Sequence, residues 1–155
     1  MKTLILNGSP RKSGDTMALI NQLTQVLKGE VVQINAYDKK IASCTDCRYC
    51  WSNHDCIIKD DMQEVYQLVE TVDVVVIASP LYFSELTGEL LGVLSRFQKY
   101  YARRIIQKDS AFKLKPKHGL LILTGGGDGG PGPAIERTSI LFRQLNVESV
   151  GTVTS

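Results

Sequence analysis

No apolar stretch in these 155 residues approaches the roughly 18 needed to cross a bilayer, and Met1-Lys2 leads straight into a short strand pattern instead of a signal peptide. Neither a membrane protein nor a secreted one is expected, and the cytoplasm is the expected location. Charge of one sign is also lacking: 18 basic residues stand against 16 acidic ones, a net charge of +2. Nothing in that balance argues for nucleic acid or an anionic membrane as partner. The loop that follows the first apolar run, residues 7–16, has the spacing of neither Gly-x4-Gly-Lys-Ser/Thr nor Gly-x-Gly-x-x-Gly, so triphosphate and Rossmann dinucleotide sites lose weight. No side chain stands out as a general acid or base; His118 reads as structural and His54 as a solvent-facing loop residue. No cysteine occurs outside the stretch from Cys44 to Cys56. What remains is a chain with 43% hydrophobic and 22% charged residues, which is globular rather than disordered and of a length suited to one domain, residues 1–155.

What is present begins at Leu4. An apolar run (Leu4, Ile5, Leu6) gives way to Asn7-Gly8-Ser9-Pro10-Arg11-Lys12-Ser13-Gly14-Asp15-Thr16 and then to an amphipathic helix signal. The pattern reads as strand, anion-holding loop, helix. Glycines permit tight turns, Ser9, Ser13 and Thr16 offer hydroxyls, Arg11 and Lys12 offer charge, and a helix N-terminus presents unpaired N–H groups.

Leu19, Ile20, Leu23, Val26 and Leu27 fall at helical spacing, with Gly29 as the stop after Lys28. Residues 30–36 predict a partly alternating strand near a sheet edge, and residues 37–59 have neither period and form a long functional loop. Asp61 with Glu64 predicts a capped second helix carrying Met62, Val65, Val69 and Val72 on one face. Residues 73–79 are continuously apolar, as in a parallel strand covered on both sides. Pro80-Leu81-Tyr82-Phe83-Ser84 makes a loop, and a third helix runs from Leu86 to about Tyr101. The basic residues between Arg96 and Lys117 read as a solvated helix face and loop rather than a polyanion site. A strand at 118–124 is followed by the glycine-rich loop 125–133, a fourth helix from Ile135 to Leu145 and a last strand at 147–153. Alternating strands and helices call for an α/β fold: a flavodoxin-like three-layer sandwich with a five-stranded parallel sheet of order 2-1-3-4-5 and right-handed crossovers. A terminal helix is absent from this chain. The face it would cover predicts oligomer packing or a longer parent chain.

That order brings the loops after strands one to four to one edge of the sheet, the usual ligand edge of open α/β sheets. A mononucleotide suits it, with its phosphate on residues 9–16 and its ring against the later loops. Tyr82 and Phe83 can flank a flavin, although Phe83 can equally be a core residue, and the backbone near Thr124, Gly125, Gly126 and Gly127 can approach it closely. Asp128 reads as a turn residue. The cysteines run Cys44-x2-Cys47-x2-Cys50-x5-Cys56. In a reducing cytosol such compaction favours metal or redox chemistry over a disulfide framework. Three cysteines at x2 spacing with a fourth beyond a short loop suit a [4Fe-4S] cubane; zinc and unoccupied thiols remain alternatives.

The loop 7–16, the cysteine pattern running into Ile57-Ile58-Lys59-Asp60-Asp61-Met62, and Ser79-Pro80-Leu81-Tyr82-Phe83 together resemble the iron-sulfur flavoprotein branch of the NADPH-dependent FMN reductase, flavodoxin-like family. The resemblance implies FMN, homodimers or homotetramers, and electron transfer between a small-molecule or protein donor, NAD(P)H among them, and an acceptor. It implies that Ser9, Arg11, Ser13 and Thr16, with Lys12 and Asp15 beside them, hold the phosphate. It further implies that Pro80, Leu81, Tyr82, Phe83 and Ser84 line the flavin, and that Cys44, Cys47, Cys50 and Cys56 hold a [4Fe-4S] cluster. Position 15 is usually Asn in such loops, so Asp15 is a departure. The expected function is an FMN-dependent oxidoreductase. The alternatives are a cluster-free NAD(P)H-dependent FMN or quinone reductase and a flavodoxin-like one-electron carrier.

Overall fold

The computed structural model describes residues 1–125, 127 and 129–155; Gly126 and Asp128 of the glycine-rich loop lie outside the described residues. Five strands, β1 (Lys2–Asn7), β2 (Glu30–Asn35), β3 (Val74–Pro80), β4 (Lys117–Thr124) and β5 (Val147–Thr154), form one parallel sheet in the order β2-β1-β3-β4-β5. The helices are α1 (Asp15–Val26), α2 (Met62–Thr71), α3 (Gly88–Ser95), the short α4 (Gln98–Tyr101) and α5 (Gly132–Gln144). The predicted sheet order is the observed one. β2 lies at an edge, and only Ile34 within it is fully buried, which accounts for its partial alternation.

Strand alternation divides the core in two. Leu4, Leu6, Val75, Ile77, Leu121 and Leu123 point to the face covered by α2, α3 and α5. Ile5, Val76, Ala78 and Ile122 point to the other, where Ile20 of α1 packs on them. On that second face Val153, in register with Ile122, is 40% exposed at the β5 edge.

Local chemistry sets several boundaries away from their expected places. α1 ends at Val26, two residues early, because Gly29 turns at φ +95° and Glu30 N donates to Met1 O (3.1 Å), which starts the β1–β2 pairing. A side chain on Gly29 would press into the Met1 carbonyl, so only glycine fits there. α2 is not capped by Asp61. Asp60 Oδ1 accepts from Met62 N (3.1 Å), while Asp61 Oδ2 accepts from Lys40 N (2.7 Å) and Glu64 pairs with Lys39. The single long helix expected from Leu86 to Tyr101 is broken at Arg96–Phe97 by tighter i→i−3 bonds and then continues as a π turn over Ala102–Ile106. The reason lies in Arg96, whose side chain is drawn inward.

Candidate functional site

The carboxyl ends of β1, β3 and β4 converge as the strand order requires. Gly8 N donates to Ala78 O (2.8 Å), and Thr87 Oγ1 donates to Gly8 O (2.8 Å), so the loop after β1 lies directly on α3. A Cβ on Gly8 would stand 2.7 Å from Leu90 and 2.8 Å from Thr87 Oγ1. Ser9 is buried, with its N–H on Asn7 Oδ1 (2.9 Å) and its Oγ bridging to the Arg11 backbone. Arg11, Lys12, Ser13 and Asp15 are exposed. Gly14 precedes α1 without a side-chain cap, so the first N–H groups of that helix are not taken up by one. Thr16 is buried and its hydroxyl meets the Thr124 hydroxyl at 2.7 Å, joining the loop helix to the end of β4. Uncapped backbone donors, adjacent hydroxyls and exposed cations in one loop suit a phosphate. The exposed Asp15 sits in the first turn of α1, where its charge suits the helix dipole.

The loop after β3 is a tight turn. Tyr82 N donates to Glu85 O (2.9 Å) and Glu85 N to Tyr82 O (3.1 Å), while Phe83 (φ +53°) and Ser84 (φ +64°) are both left-handed. Two non-glycine residues in that region cost energy that the fold must supply elsewhere. The turn holds Phe83 fully exposed and Tyr82 47% exposed, so Phe83 is not a core residue. Leu81 N donates to Thr124 O (2.8 Å), and a Cβ on Gly125 would come within 3.2 Å of Leu81, which sets the start of the glycine-rich loop beside Pro80 and Leu81. Gly127 has open space around it, and Gly126 lies outside the described residues. The loop after β1, the aromatic turn and the β4 end thus share one rim, with the exposed rings available to a planar group.

All four cysteines line one cleft of about 380 Å³, together with Trp51, Arg96, Lys99 and Tyr101. None is in a disulfide. The cysteine segment has little regular structure of its own beyond a 3-10 turn at Tyr49–Trp51, and the helical layer fixes it from outside. Cys44 N donates to Ser95 Oγ (2.9 Å), and Gln107 Nε2 donates to Cys50 O (2.8 Å) and Asn53 O (2.9 Å). Cys47 sits between Asp46 (φ +50°) and Arg48 (φ +61°), a strained double turn. Burial, followed by the neighbouring Cys44 charge, pushes the Cys50 thiol up. Among the described residues no three His, Cys, Asp or Glu side chains are gathered so as to hold one metal ion. His54 is exposed and not among the lining residues.

Sequence reasoning missed the cations. Arg96 (2% exposed), Lys99 (6%) and Lys117 (3%) are buried, where a solvated basic face was expected. Arg96 Nη1 donates to Ala42 O (2.9 Å) and Asp60 Oδ2 (2.8 Å), and its Nη2 donates to Ile58 O (3.0 Å), so one guanidinium ties both ends of the cysteine segment. Lys99 Nζ lies 3.8 Å over the Tyr66 ring and donates to Asp55 Oδ1 (3.2 Å). The available signal was spacing: Arg96 and Lys99 are three apart amid Val93, Leu94, Phe97 and Tyr100, on the apolar side of the run. Each of these two cations beside the thiols carries its own counterion, Asp60 for Arg96 and Asp55 for Lys99.

Comparison with known proteins bears on the family and the fold. The chain is 33% identical over 134 residues to an iron-sulfur flavoprotein of Archaeoglobus fulgidus, covering 84% of this chain and 57% of that protein. It is 34% identical over 130 residues to an iron-sulfur flavoprotein of Methanocaldococcus jannaschii, covering 81% and 62% respectively. The chain therefore spans about three fifths of the length of these relatives. Its fold is also that of an NAD(P)H:quinone oxidoreductase from Methanothermobacter marburgensis, with TM-score 0.74 at 12% identity over 100% of this chain and 85% of that one. A family model described as NADPH-dependent FMN reductase matches residues 1–154, and the chain belongs to that family.

Proposed function

We propose that the protein is an FMN-dependent oxidoreductase that moves electrons between its flavin and a [4Fe-4S] cluster held by Cys44, Cys47, Cys50 and Cys56. The observation that carries the cluster reading is that all four cysteines line one cleft walled by the buried cations Arg96 and Lys99. The printed names of the relatives, iron-sulfur flavoproteins, support it. FMN would supply hydride and one-electron chemistry, and the cluster one-electron transfer. The chain's own part is binding and orientation. Ser9, Arg11, Lys12, Ser13 and Thr16, with the N–H groups that open α1, hold the phosphate; Asp15 flanks them. Pro80 to Ser84 and the backbone of Thr124, Gly125 and Gly127 line the ring, with Tyr82 and Phe83 as exposed aromatic faces. The donor is NAD(P)H or a reduced protein and the acceptor a small molecule or protein. The working form is a homodimer or homotetramer in the cytoplasm, where four unpaired thiols are at home. Among the described residues no helix is long and apolar enough to cross a membrane.

The test is an absorption spectrum of protein purified without oxygen, with flavin, iron, acid-labile sulfide and zinc quantified on the same sample. One FMN with about four iron and four sulfide per chain is expected. Flavin with neither iron nor sulfide, together with sustained NAD(P)H oxidation in the presence of quinone, overturns the cluster reading in favour of a plain FMN or quinone reductase.

A further inference from the structure

The N-terminus of α1 is joined to the end of β4 by a pair of hydroxyls. Thr16 Oγ1 and Thr124 Oγ1 meet at 2.7 Å, and both residues are buried. They stand 108 positions apart in the chain, and theirs is the one side-chain hydrogen bond between α1 and β4 among the described residues. The contact beneath them is apolar, with Ile20 of α1 packed on Ile122 of β4. Valine has nearly the shape of threonine, and replacing both partners of a hydrogen bond by apolar groups of like shape is close to neutral for stability. The core therefore does not require two hydroxyls here. What the bond adds over two methyl groups is a fixed distance and direction. Thr124 is also a junction of the rim. Its carbonyl accepts the Leu81 N–H (2.8 Å), and it stands in register with Pro80 of β3. Its side chain thus holds the helix that follows the anion loop, and its backbone holds the turn that carries Tyr82 and Phe83.

We propose that the Thr16–Thr124 pair is a latch that sets the spacing between the two halves of the flavin site, with Thr124 a positioning residue that acts through Thr16. One half is the N-terminus of α1, for the phosphate; the other is the β4 end with the aromatic turn, for the ring. The inference rests on the FMN reading. With its hydroxyl turned to Thr124, Thr16 leaves the rim its backbone N–H in the first turn of α1. A ligand that reaches both halves gains from their being held at one separation, because the ordering is done before it binds. A ligand that engages the ring half alone does not. FMN is of the first kind, and riboflavin, which lacks the phosphate, is of the second.

The test titrates flavin-free protein with FMN and with riboflavin, read by flavin fluorescence. It compares wild type, Thr124→Val, Thr124→Ser, Thr16→Val and the double valine variant. Thr124→Val is expected to raise the FMN dissociation constant about tenfold and that of riboflavin less than about twofold, as the loss of one hydrogen bond between the two halves would. Thr124→Ser keeps the hydroxyl and is expected to bind FMN within about twofold of wild type. The double variant is expected to bind FMN no more weakly than Thr16→Val, since Thr124 acts through Thr16. Unchanged FMN affinity in Thr124→Val, equal losses for FMN and riboflavin, or losses that multiply in the double variant overturn the latch. The double variant leaves neither hydroxyl orphaned and carries the comparison of FMN with riboflavin if a single variant does not fold. Wild type that binds neither flavin overturns the FMN reading and the latch with it, a result distinct from wild type and variants that bind FMN equally well.

Discussion

At the scale of single residues, the costs of this fold collect around its proposed cofactor sites. Asp60 is the counterion of a fully buried arginine, and it also accepts the N–H groups of Ala42 and Met62. Burial disfavours its charge, but the Arg96 hydrogen bond and those backbone donors outweigh burial and hold its carboxyl below the ordinary range. Because the unfolded chain binds a proton at Asp60 before the native protein does, the stabilisation is present above the unfolded carboxyl pKa and is lost as pH falls through the native one. Asp60→Asn, which leaves Arg96 unpaired, is expected to cost about 3–5 kcal/mol at pH 7 in urea unfolding. The gap from wild type should begin to narrow near about pH 4, the unfolded carboxyl pKa, and close only as pH falls through the lower native one. A gap independent of pH would assign the loss to shape instead of charge. Phe83 presents the opposite case. Fully exposed and left-handed, it adds nothing to the core. Phe83→Asn, which suits that turn position, should leave the flavin-free protein equally stable or up to about 1 kcal/mol more so in thermal unfolding. The same change should weaken FMN binding up to about tenfold in a fluorescence titration, the worth of one aromatic contact. Unchanged affinity would remove Phe83 from the flavin site.

At the scale of elements, the contacts that aim the loops are backbone contacts. Gly8→Ala sets a methyl against Leu90 and Thr87 at the point where the Thr87 hydroxyl binds the Gly8 carbonyl. The expected loss is about 1–3 kcal/mol, from overpacking, with a matching loss of FMN affinity because the loop lifts from α3. Equal FMN affinity in a destabilised Gly8→Ala would detach the loop's position from its ligand. How far such features can be read from sequence follows from their range. The strand order and the rim formed by the loops after β1, β3 and β4 were legible, since apolar periodicity and glycine placement are local and parallel topology does the rest. The cysteine grouping was legible as spacing. The cap of α2 was misplaced by one residue because Asp60 and Asp61 have the same chemistry, and which one caps depends on Lys40 and Arg96 from elsewhere. Arg96 and Lys99 were misread for the same reason. Their burial is paid for by Asp60, Asp55 and loop carbonyls tens of residues distant, and no local pattern reports such partners.

At the scale of the whole molecule, the parallel sheet separates binding from stability. Its carboxyl edge carries the strained turn, the loop after β1 and Gly125 at the end of β4, while its amino edge is tied by charge. There Asp73 accepts the Lys2 N–H (2.7 Å) and pairs with Lys115. Next to them Lys117 is buried, its ammonium donating to the carbonyls of Lys115 and Leu145. Burial, followed by the nearby Lys115 charge, pulls its pKa down to about 8. Since the unfolded lysine titrates near 10.4, the unfolded state binds more protons between those values, and stability attributable to this group rises as pH climbs from about 8 to 10.4. Below pH 8 both states are charged and the full penalty of burying the ammonium applies. Lys117→Met removes that titration. In urea unfolding at several pH values, wild type should therefore gain up to about 3 kcal/mol relative to Lys117→Met between pH 8 and 10.4, and nothing between pH 6 and 7. Parallel curves across the whole range would mean that the two carbonyls hold the ammonium charged at no cost. Because the site lies at the edge opposite the proposed flavin and cysteine sites, FMN affinity and iron content should be the same in both proteins; a change in either would break the division of labour between the two edges.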